Sequence, residues 1–140
     1  MGLDRVGSVK NSVNLEPIFP IITVGGTNGK GSVCAFLETI YSKAGYSVGC
    51  FTSPHLFKFN ERIRIDLEQV KDKTIIKSLD LINSKKKLTK LTYFEITTLA
   101  AMNIFIEQKV DIAILEVGLG GRLDAVNIFE PDLSIITSIG

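Results

Sequence analysis

The sequence contains few of the residues that carry metal-binding or nucleophilic chemistry. Among its 140 residues are two cysteines, Cys34 and Cys50, which stand at no metal-ligand spacing, and a single histidine, His55. We interpret both cysteines as reduced, small apolar residues of a cytoplasmic protein. A lone histidine leaves no Ser/His/Asp or Cys/His set to assemble, so we expect His55 to pack or to cap a loop.

A strong charge of one sign and a long apolar run are also missing. The net charge is +1, which provides no electrostatic argument for binding nucleic acid or an anionic membrane surface. No apolar run approaches the roughly 20 residues that span a bilayer. We therefore expect a cytoplasmic protein with no nucleic-acid or membrane partner. With 45% hydrophobic residues, the chain can bury the core of about one domain.

What the chain does contain is an alternation of apolar strands and amphipathic helices. Apolar, β-rich runs predict strands at 18–24 and 46–53. Between them, an apolar stripe at helical spacing predicts a helix that begins at about Ser32 and ends before Gly45. Strand, glycine loop, helix and strand in this order form a βαβ unit, which is right-handed and parallel.

The rest of the sequence extends this pattern. Further predicted elements are a short strand or hairpin within 54–73, a modest helix near 75–82, a buried helix at 91–109 that opens on a capping box, and strands at 110–117 and 133–140. The predicted fold class is α/β, a P-loop-type parallel sheet with flanking helices in three layers. We expect the last strand to be central, and the strands 110–117 and 133–139 to leave apolar faces exposed.

The glycine-rich stretch "GGTNGKGS" (25–32) directly follows the first predicted strand. It departs from the usual phosphate-loop pattern G-x-x-x-x-G-K-[ST], because Gly31 separates Lys30 from Ser32. The glycines let backbone amides approach an anion, the helix that follows directs its unpaired amides at the loop, and Lys30 supplies a positive charge. The alternative is a structural glycine turn with an exposed lysine. We interpret the stretch as a phosphate-binding loop.

Two residues at predicted strand ends are candidates for binding Mg²⁺ next to a phosphate. The apolar strand "IAILE" delivers Glu116 to its carboxyl end, as a Walker B acid is delivered, although a surface glutamate is the alternative. Ser53 follows the second strand, where metal ligation and the start of a turn at Pro54 are equally open. Three arginines are each open between substrate contact and solvation: Arg62, Arg64 and Arg122.

Several separated motifs together resemble the folylpolyglutamate synthase/dihydrofolate synthase family, within the wider ATP-dependent Mur ligase superfamily. The motifs are "GLDRV" (2–6), "GTNGKGS" (26–32), "GYSVGCFTSPHL" (45–56), "ERIRI" (61–65), "LTYFE" (91–95), "DIAILEVGLGGRLDAVN" (111–127) and "SIITSIG" (134–140). That family uses the shorter G-T-N-G-K-G-S loop, which accounts for the departure from the usual pattern. Val126 stands where the family has threonine, and Gly25 where alanine is common; both replacements are tolerable.

The resemblance implies an ATP-dependent amide ligase of folate biosynthesis with ATP and Mg²⁺ as cofactors. Such enzymes add L-glutamate to dihydropteroate or folyl(poly)glutamate through an acyl phosphate. Carried over by position, the ATP phosphates would contact Thr27, Asn28, Gly29, Lys30, Gly31 and Ser32. Lys30 and Glu116 would be catalytic, and Ser53 and Glu116 would bind the metal. The pterin-type substrate would be lined by Thr92, Tyr93, Phe94, Glu95, Leu123, Asp124 and Ala125.

The resemblance also implies that residues 1–140 are the N-terminal part of the ATP-binding domain. The family's C-terminal glutamate-ligase domain is absent from this chain, so we expect no ligation by the chain alone, and a monomeric full-length enzyme. Two other functions remain open. One is a peptidoglycan-precursor ligase of the same superfamily, and the other is a non-catalytic nucleotide-binding module.

Overall fold

The structure is a computed structural model that describes residues 2–140. Its strands are β1 (Ile21–Gly25), β2 (Val48–Phe51), β3 (Ile63–Ile65), β4 (Glu68–Gln69), β5 (Ile112–Glu116) and β6 (Leu133–Ile136). Its α-helices are α1 (Gly2–Val13), α2 (Lys30–Lys43), α3 (Asp72–Lys86) and α4 (Tyr93–Glu107), and 3₁₀ turns span Phe59–Arg62 and Ala125–Ile128. The strands of this described region form one sheet in the order β4-β3-β2-β5-β1-β6.

The sheet is mixed, with a parallel part as predicted and the hairpin that the sequence left open within 54–73. The βαβ part is parallel, since β1 pairs with β5 and β6, and β5 pairs with β2. The hairpin within "RIRIDLEQ" adds β3 and β4 antiparallel at one edge. Its two turn residues, Asp66 and Leu67, both have positive φ, at 53° and 71°. Such a turn joins adjacent strands directly and therefore makes them antiparallel.

The predicted three-layer architecture is confirmed by two separate apolar cores on the two faces of the sheet. On one face α2 packs on alternate strand residues, with Val24, Cys34 and Cys50 buried together. On the other face α1, α3 and α4 cover the sheet, and Phe51 and Phe105 are among the buried residues. Both cysteines are free and buried, as interpreted from the sequence.

Close packing of α4 on the sheet requires a glycine in β2. A Cβ at Gly49 would lie 2.6 Å from the ring of Phe105. The α4 helix is buried on most sides and opens on the predicted capping box of Thr92 and Glu95. Both side chains of that box are therefore needed to begin the most buried helix of the fold.

Two expectations about exposed strands need correction. The strand at 110–117 leaves no apolar face exposed, because β5 lies between β1 and β2 and is covered by helices on both faces. The last strand ends at Ile136 instead of 140, and among the described strands it pairs only with β1. Leu133 and Ile136 are 51% and 62% exposed, which agrees with the exposed face expected for that strand.

The helix α1 was not predicted from the sequence, although its Val6 and Val9 are buried in the core under α3 and the second 3₁₀ turn. Its apolar residues are too few to form a clear stripe by themselves. Among the described helices, none combines the length and the apolar character needed to cross a membrane.

Candidate functional site

The glycine-rich loop leads from β1 directly into the N-terminus of α2. The helix begins at Lys30, two residues earlier than predicted, after an N-cap Gly29 with φ of 83°. No side chain caps this helix, and Gly29, Gly31 and Ser32 are exposed. The first backbone amides of a helix lack partners within it, so this end of α2 offers unpaired N–H donors to an anion.

The side chain of Lys30 lies over the loop. Its ammonium Nζ donates a hydrogen bond to the carbonyl of Gly26 at 2.9 Å, so the positive charge is held above the start of α2. A Cβ at Gly31 would lie 3.9 Å from Oε1 of Glu116. The glycine that breaks the usual pattern therefore leaves open the space between the helix N-terminus and the carboxylate.

Glu116 ends β5 with a carboxylate that is almost completely buried, its residue being 5% exposed. Its Oε2 accepts a hydrogen bond from the backbone N–H of Ser53 at 2.8 Å, which places the two predicted metal ligands side by side. Burial raises the pKa of Glu116, while the Ser53 N–H and the charges of Lys30 and Arg64 act to lower it.

The donor set at this edge of the sheet fits Mg²⁺ bound together with a phosphate. In the part of the chain that the structure describes, no three His, Cys, Asp or Glu residues come together as a metal site. Mg²⁺ in nucleotide sites is held by one or two protein oxygens, with phosphate oxygens and water completing its shell. Ser53 and Glu116 would supply those oxygens, and Lys30 with the α2 amides would hold the phosphate.

A cavity of about 370 Å³ adjoins this phosphate-type site, with Ser53 on its wall. The lining residues are Ser53, Pro54, Arg62, Tyr93, Phe94, Gly118, Leu119 and Asp124. Gly118 makes room for an aromatic wall, because a Cβ there would come within 2.6 Å of the Phe94 ring. Phe94 in turn packs against Phe51 of the core, with ring centroids 5.7 Å apart. A flat, largely apolar molecule with a few polar atoms fits such walls.

The residues predicted to line a substrate are only partly gathered around this cavity. Tyr93 and Phe94 lie on its wall. Thr92 and Glu95 are engaged with each other in the capping box, and Arg5 donates to Glu95 at 3.3 Å. Leu123 is exposed and Ala125 is buried, and neither lines the cavity. Their role in substrate binding stays a prediction.

Asp124 lines the cavity but also holds its wall in place. Its Oδ2 accepts hydrogen bonds from the backbone amides of Gly118 and Leu119, both at 3.0 Å, and its Oδ1 accepts from Val126 at 3.0 Å. Because the carboxylate is satisfied by these amides, it shapes the loop after β5 more than it offers a free charge to a ligand.

The three candidate arginines differ in their surroundings. Arg62 lies over the rings of Phe59 and Tyr93, with 5.8 Å to each centroid, and its Nε donates to Nδ1 of His55 at 2.8 Å. Arg64 instead pairs with Glu38 at 2.8 Å. Arg122 is exposed in the loop after β5.

Sequence reasoning did not place Arg62, Pro54, Gly118 or Leu119 at a common cavity. Each lies within one of the separated sequence motifs, and these motifs come from different parts of the chain. Only the pairing of β2 with β5 brings their ends together, and no local signal shows that pairing.

The fold and this site together define an α/β domain of the P-loop type with a candidate site for a phosphate. Comparisons with known proteins identify a smaller group of proteins that this chain resembles. The chain is 49% identical over 140 residues to the dihydrofolate synthase/folylpolyglutamate synthase of Haemophilus influenzae, covering 99% of this chain and 32% of that protein. It is 44% identical over 140 residues to the enzyme of the same name from Escherichia coli K12, covering 99% and 33%.

Solved structures give the same result. Escherichia coli FolC in complex with DHPP and ADP matches with a TM-score of 0.97 and 43% identity, covering 100% of this chain and 34% of that chain. The Yersinia pestis bifunctional folylpolyglutamate synthase/dihydrofolate synthase, complexed with AMPPNP and Mn ion, matches with a TM-score of 0.97 and 45% identity, covering 100% and 34%. No protein-family profile matches the chain.

The chain thus spans about a third of the length of the relatives that it matches. Over that third, sequence and fold agree. Over almost its whole length, the chain is similar in sequence and in fold to dihydrofolate synthase/folylpolyglutamate synthases.

Proposed function

We propose that this chain is the nucleotide-binding part of an ATP-dependent amide ligase of folate biosynthesis. The ligase would join L-glutamate to dihydropteroate, to folyl(poly)glutamate or to both, through an acyl phosphate. The observation that carries the proposal is the meeting of Lys30, Ser53 and Glu116 at the uncapped N-terminus of α2, beside an aromatic-walled cavity.

Amide formation requires activation of the substrate carboxylate, because a free carboxylate is a poor acylating agent. A substrate carboxylate takes the terminal phosphoryl group of ATP, and the amino group of glutamate then displaces phosphate to form the amide. Mg²⁺, when bound, would neutralise charge on the transferring phosphoryl group. The amides at the start of α2 and the ammonium of Lys30 would bind and orient the phosphates.

The cavity supplies the substrate half of the proposal. Tyr93 and Phe94 present aromatic rings against which a pterin-type ring would pack. Because Ser53 belongs both to the cavity wall and to the phosphate-type site, a carboxylate at the mouth of the cavity would lie next to the phosphates. The relatives' names and the ADP, AMPPNP and Mn in their structures support the same assignment for this chain.

We further propose that residues 1–140 form the N-terminal part of the ATP-binding domain, and that the glutamate-ligase domain of such enzymes lies outside this chain. Coverage of about a third of the relatives supports this division. We place the protein in the cytoplasm, which its two free, buried cysteines support. The full-length enzyme is proposed to be a monomer that acts on small molecules and binds neither nucleic acid nor membrane.

Calorimetric titration of the chain with ATP and Mg²⁺ tests the phosphate site. Lys30→Ala is expected to weaken binding by on the order of tenfold or more, because it removes a charged hydrogen-bond donor. Lys43→Ala is the matched control, since it removes the same charge from the last turn of the same helix. Equal affinities of the two variants would contradict the proposal.

The substrate is tested with a clone of the whole reading frame. Ligation of L-glutamate to dihydropteroate is the expected activity. Ligation of an amino acid to a UDP-muramoyl substrate would instead identify a peptidoglycan-precursor ligase. Nucleotide binding without either ligation would identify a non-catalytic module.

A further inference from the structure

The segment that follows β6 lies directly against the phosphate loop. The hydroxyl of Thr137 donates a hydrogen bond to the carbonyl of Asn28 at 2.5 Å, and the backbone N–H of Thr27 donates to the carbonyl of Ser138 at 2.7 Å. The backbone N–H of Thr137 also donates to the carbonyl of Gly25 at 3.0 Å. These hydrogen bonds join residues more than a hundred positions apart, as the separation of 109 between Thr137 and Asn28 illustrates.

The contact between loop and segment is too close for a side chain. Gly26 has φ of 129°, and a Cβ there would overlap the Thr137 hydroxyl and lie 3.0 Å from the backbone of Ser138. The glycine at the start of the loop is therefore required by the segment after β6 as well as by the backbone conformation.

The two short hydrogen bonds fix the orientation of two peptide planes in the loop. In a trans peptide the C=O and N–H groups point in opposite directions. When Ser138 holds the N–H of Thr27, the carbonyl of Gly26 points away from Ser138, and that carbonyl is the acceptor for Nζ of Lys30 at 2.9 Å. The orientation of the first plane therefore sets where the lysine charge lies.

The second peptide plane, between Asn28 and Gly29, sets the direction of the first backbone N–H at the N-terminus of α2. Because the carbonyl of Asn28 points toward the Thr137 hydroxyl, the N–H of Gly29 points away from β6. Gly29 is the N-cap of α2, and no side chain caps that helix. The Thr137 hydroxyl thus controls a donor at the end of the helix where an anion would bind.

We propose that Thr137 is a positioning residue of the phosphate site, acting through Asn28 and together with the Ser138 carbonyl. It keeps the loop in the form in which the Gly29 amide and the Lys30 ammonium are ready for a phosphate before one arrives. The inference rests on the proposed nucleotide-binding function and adds a part to it. If the segment after β6 favours phosphate binding by the loop, then a phosphate bound to the loop must equally favour the ordered form of that segment, because such coupling is reciprocal.

Matched substitutions at Thr137 test the role of the hydroxyl. Thr137→Val keeps the shape of the side chain and removes the hydroxyl, whereas Thr137→Ser keeps the hydroxyl. Ser134→Ala is the control, because it removes a hydroxyl from an exposed position on β6, three residues before Thr137. The probes are inorganic tripolyphosphate and ATP, each with Mg²⁺, titrated calorimetrically into the 140-residue chain.

Thr137→Val is expected to bind tripolyphosphate several-fold to about tenfold more weakly than the wild type, the range expected for loss of one hydrogen bond. Thr137→Ser and Ser134→Ala are expected to keep wild-type affinity. The melting temperature should change little in all three, since Asn28 is exposed and water can replace the lost donor. Wild-type affinity in Thr137→Val, or equal losses in the Val and Ser variants, would overturn the inference.

Hydrogen exchange of the wild-type chain gives a second test that needs no variant. Tripolyphosphate is expected to protect amides in both 24–32 and 133–140, and protection confined to 24–32 would overturn the inference. If the wild-type chain binds neither probe, the proposed function fails and this inference fails with it. If the wild type binds and Thr137→Val binds equally, only the inference fails.

Discussion

At the scale of single residues, two carboxylates show how their surroundings move a pKa in opposite directions. Glu61 accepts hydrogen bonds from the backbone amides of Leu56, Phe57 and Lys58, at 3.0, 2.7 and 2.6 Å. These bonds stabilise the charged form and lower the pKa of Glu61 to about 2. Glu116 accepts one such bond but is buried, and its pKa is raised.

Glu61→Gln is expected to lower the melting temperature at neutral pH. Because the pKa of Glu61 is lower in the folded state than in the unfolded chain, its carboxylate stabilises the fold at pH values above the unfolded pKa. This contribution is lost as the pH falls toward about 2. The difference between variant and wild type should therefore shrink from about pH 5 downward. Thermal unfolding followed by circular dichroism across this range measures it. Glu68→Gln, at an exposed position on β4, should show no such trend, and parallel curves for Glu61→Gln would contradict the prediction.

Glu116→Gln is expected to separate stability from ligand binding. The pKa of Glu116 is higher in the folded state than in the unfolded chain. Its carboxyl group therefore stabilises the fold at pH values below the unfolded pKa, and this stabilisation is lost as the pH rises through the folded-state pKa. The variant should therefore be at least as stable as the wild type at neutral pH, with the difference vanishing in acid. Its Mg²⁺-dependent affinity for ATP should fall, because a neutral amide is a poor ligand for Mg²⁺. Lower stability with unchanged affinity would contradict the assignment of Glu116 to the metal.

At the scale of secondary-structure elements, a nearly buried ion pair joins α2 to β3. Arg64 and Glu38 form it, with side chains 20% and 6% exposed. Arg64 also donates to the hydroxyl of Thr52 at 3.1 Å and to the carbonyl of Glu61 at 2.6 Å. Burial acts to lower the pKa of Arg64, but the hydrogen bonds and charges of Glu38 and Cys50 together raise it. The helix that carries the phosphate loop is thereby attached to the strand beside Ser53.

Glu38→Ala is expected to lower the free energy of unfolding by about 3–5 kcal/mol, because it leaves a largely buried guanidinium without its counter-charge. Urea unfolding at neutral pH measures the change. The control is Thr39→Ala, an exposed position on the same helix, with an expected change within about 0.5 kcal/mol. The double replacement Glu38→Met and Arg64→Leu should recover much of the loss. A cost below about 1 kcal/mol for Glu38→Ala would show that water already screens the pair.

Apart from α1, element types and their order could be predicted from the sequence, whereas the order of the strands in the sheet could not. The helix α4 is indicated by its capping box, and β5 by its continuous apolar run, because both signals lie within the element. The hairpin turn at Asp66 and Leu67 has no glycine or asparagine to mark its positive φ values. The sequence therefore left a short strand and a hairpin both open there, and the structure shows the hairpin.

At the scale of the whole molecule, apolar side chains are exposed on the edge strand β6 and on α2. Leu133 and Ile136 on β6 are 51% and 62% exposed, and Phe36 and Ile40 on the outer side of α2 are 69% and 60% exposed. Within the described sheet, β6 pairs only with β1 and has an unpaired outer edge. Unpaired edges with apolar side chains favour association with other chains.

The 140-residue chain is accordingly expected to self-associate and to be of marginal stability. Ile136→Lys should reduce the association measured by sedimentation velocity, because it places a charge on the exposed edge strand. Ile76→Lys is the control, since Ile76 is 56% exposed on α3, away from this edge. A monomeric wild-type chain with one cooperative unfolding transition would contradict the prediction.

The sequence by itself determined the α/β class, the position of the phosphate loop and the candidate ligands Ser53 and Glu116. These features are encoded locally, in periodicity, in glycine and capping signals, and in the residue at each strand end. Tertiary structure alone decided that β6 pairs with β1, that Arg64 pairs with Glu38 and that Thr137 holds the loop at Asn28. The two contacts join residues 26 and 109 positions apart. Contacts over such distances depend on which strands pair and which faces meet, and no local pattern records that.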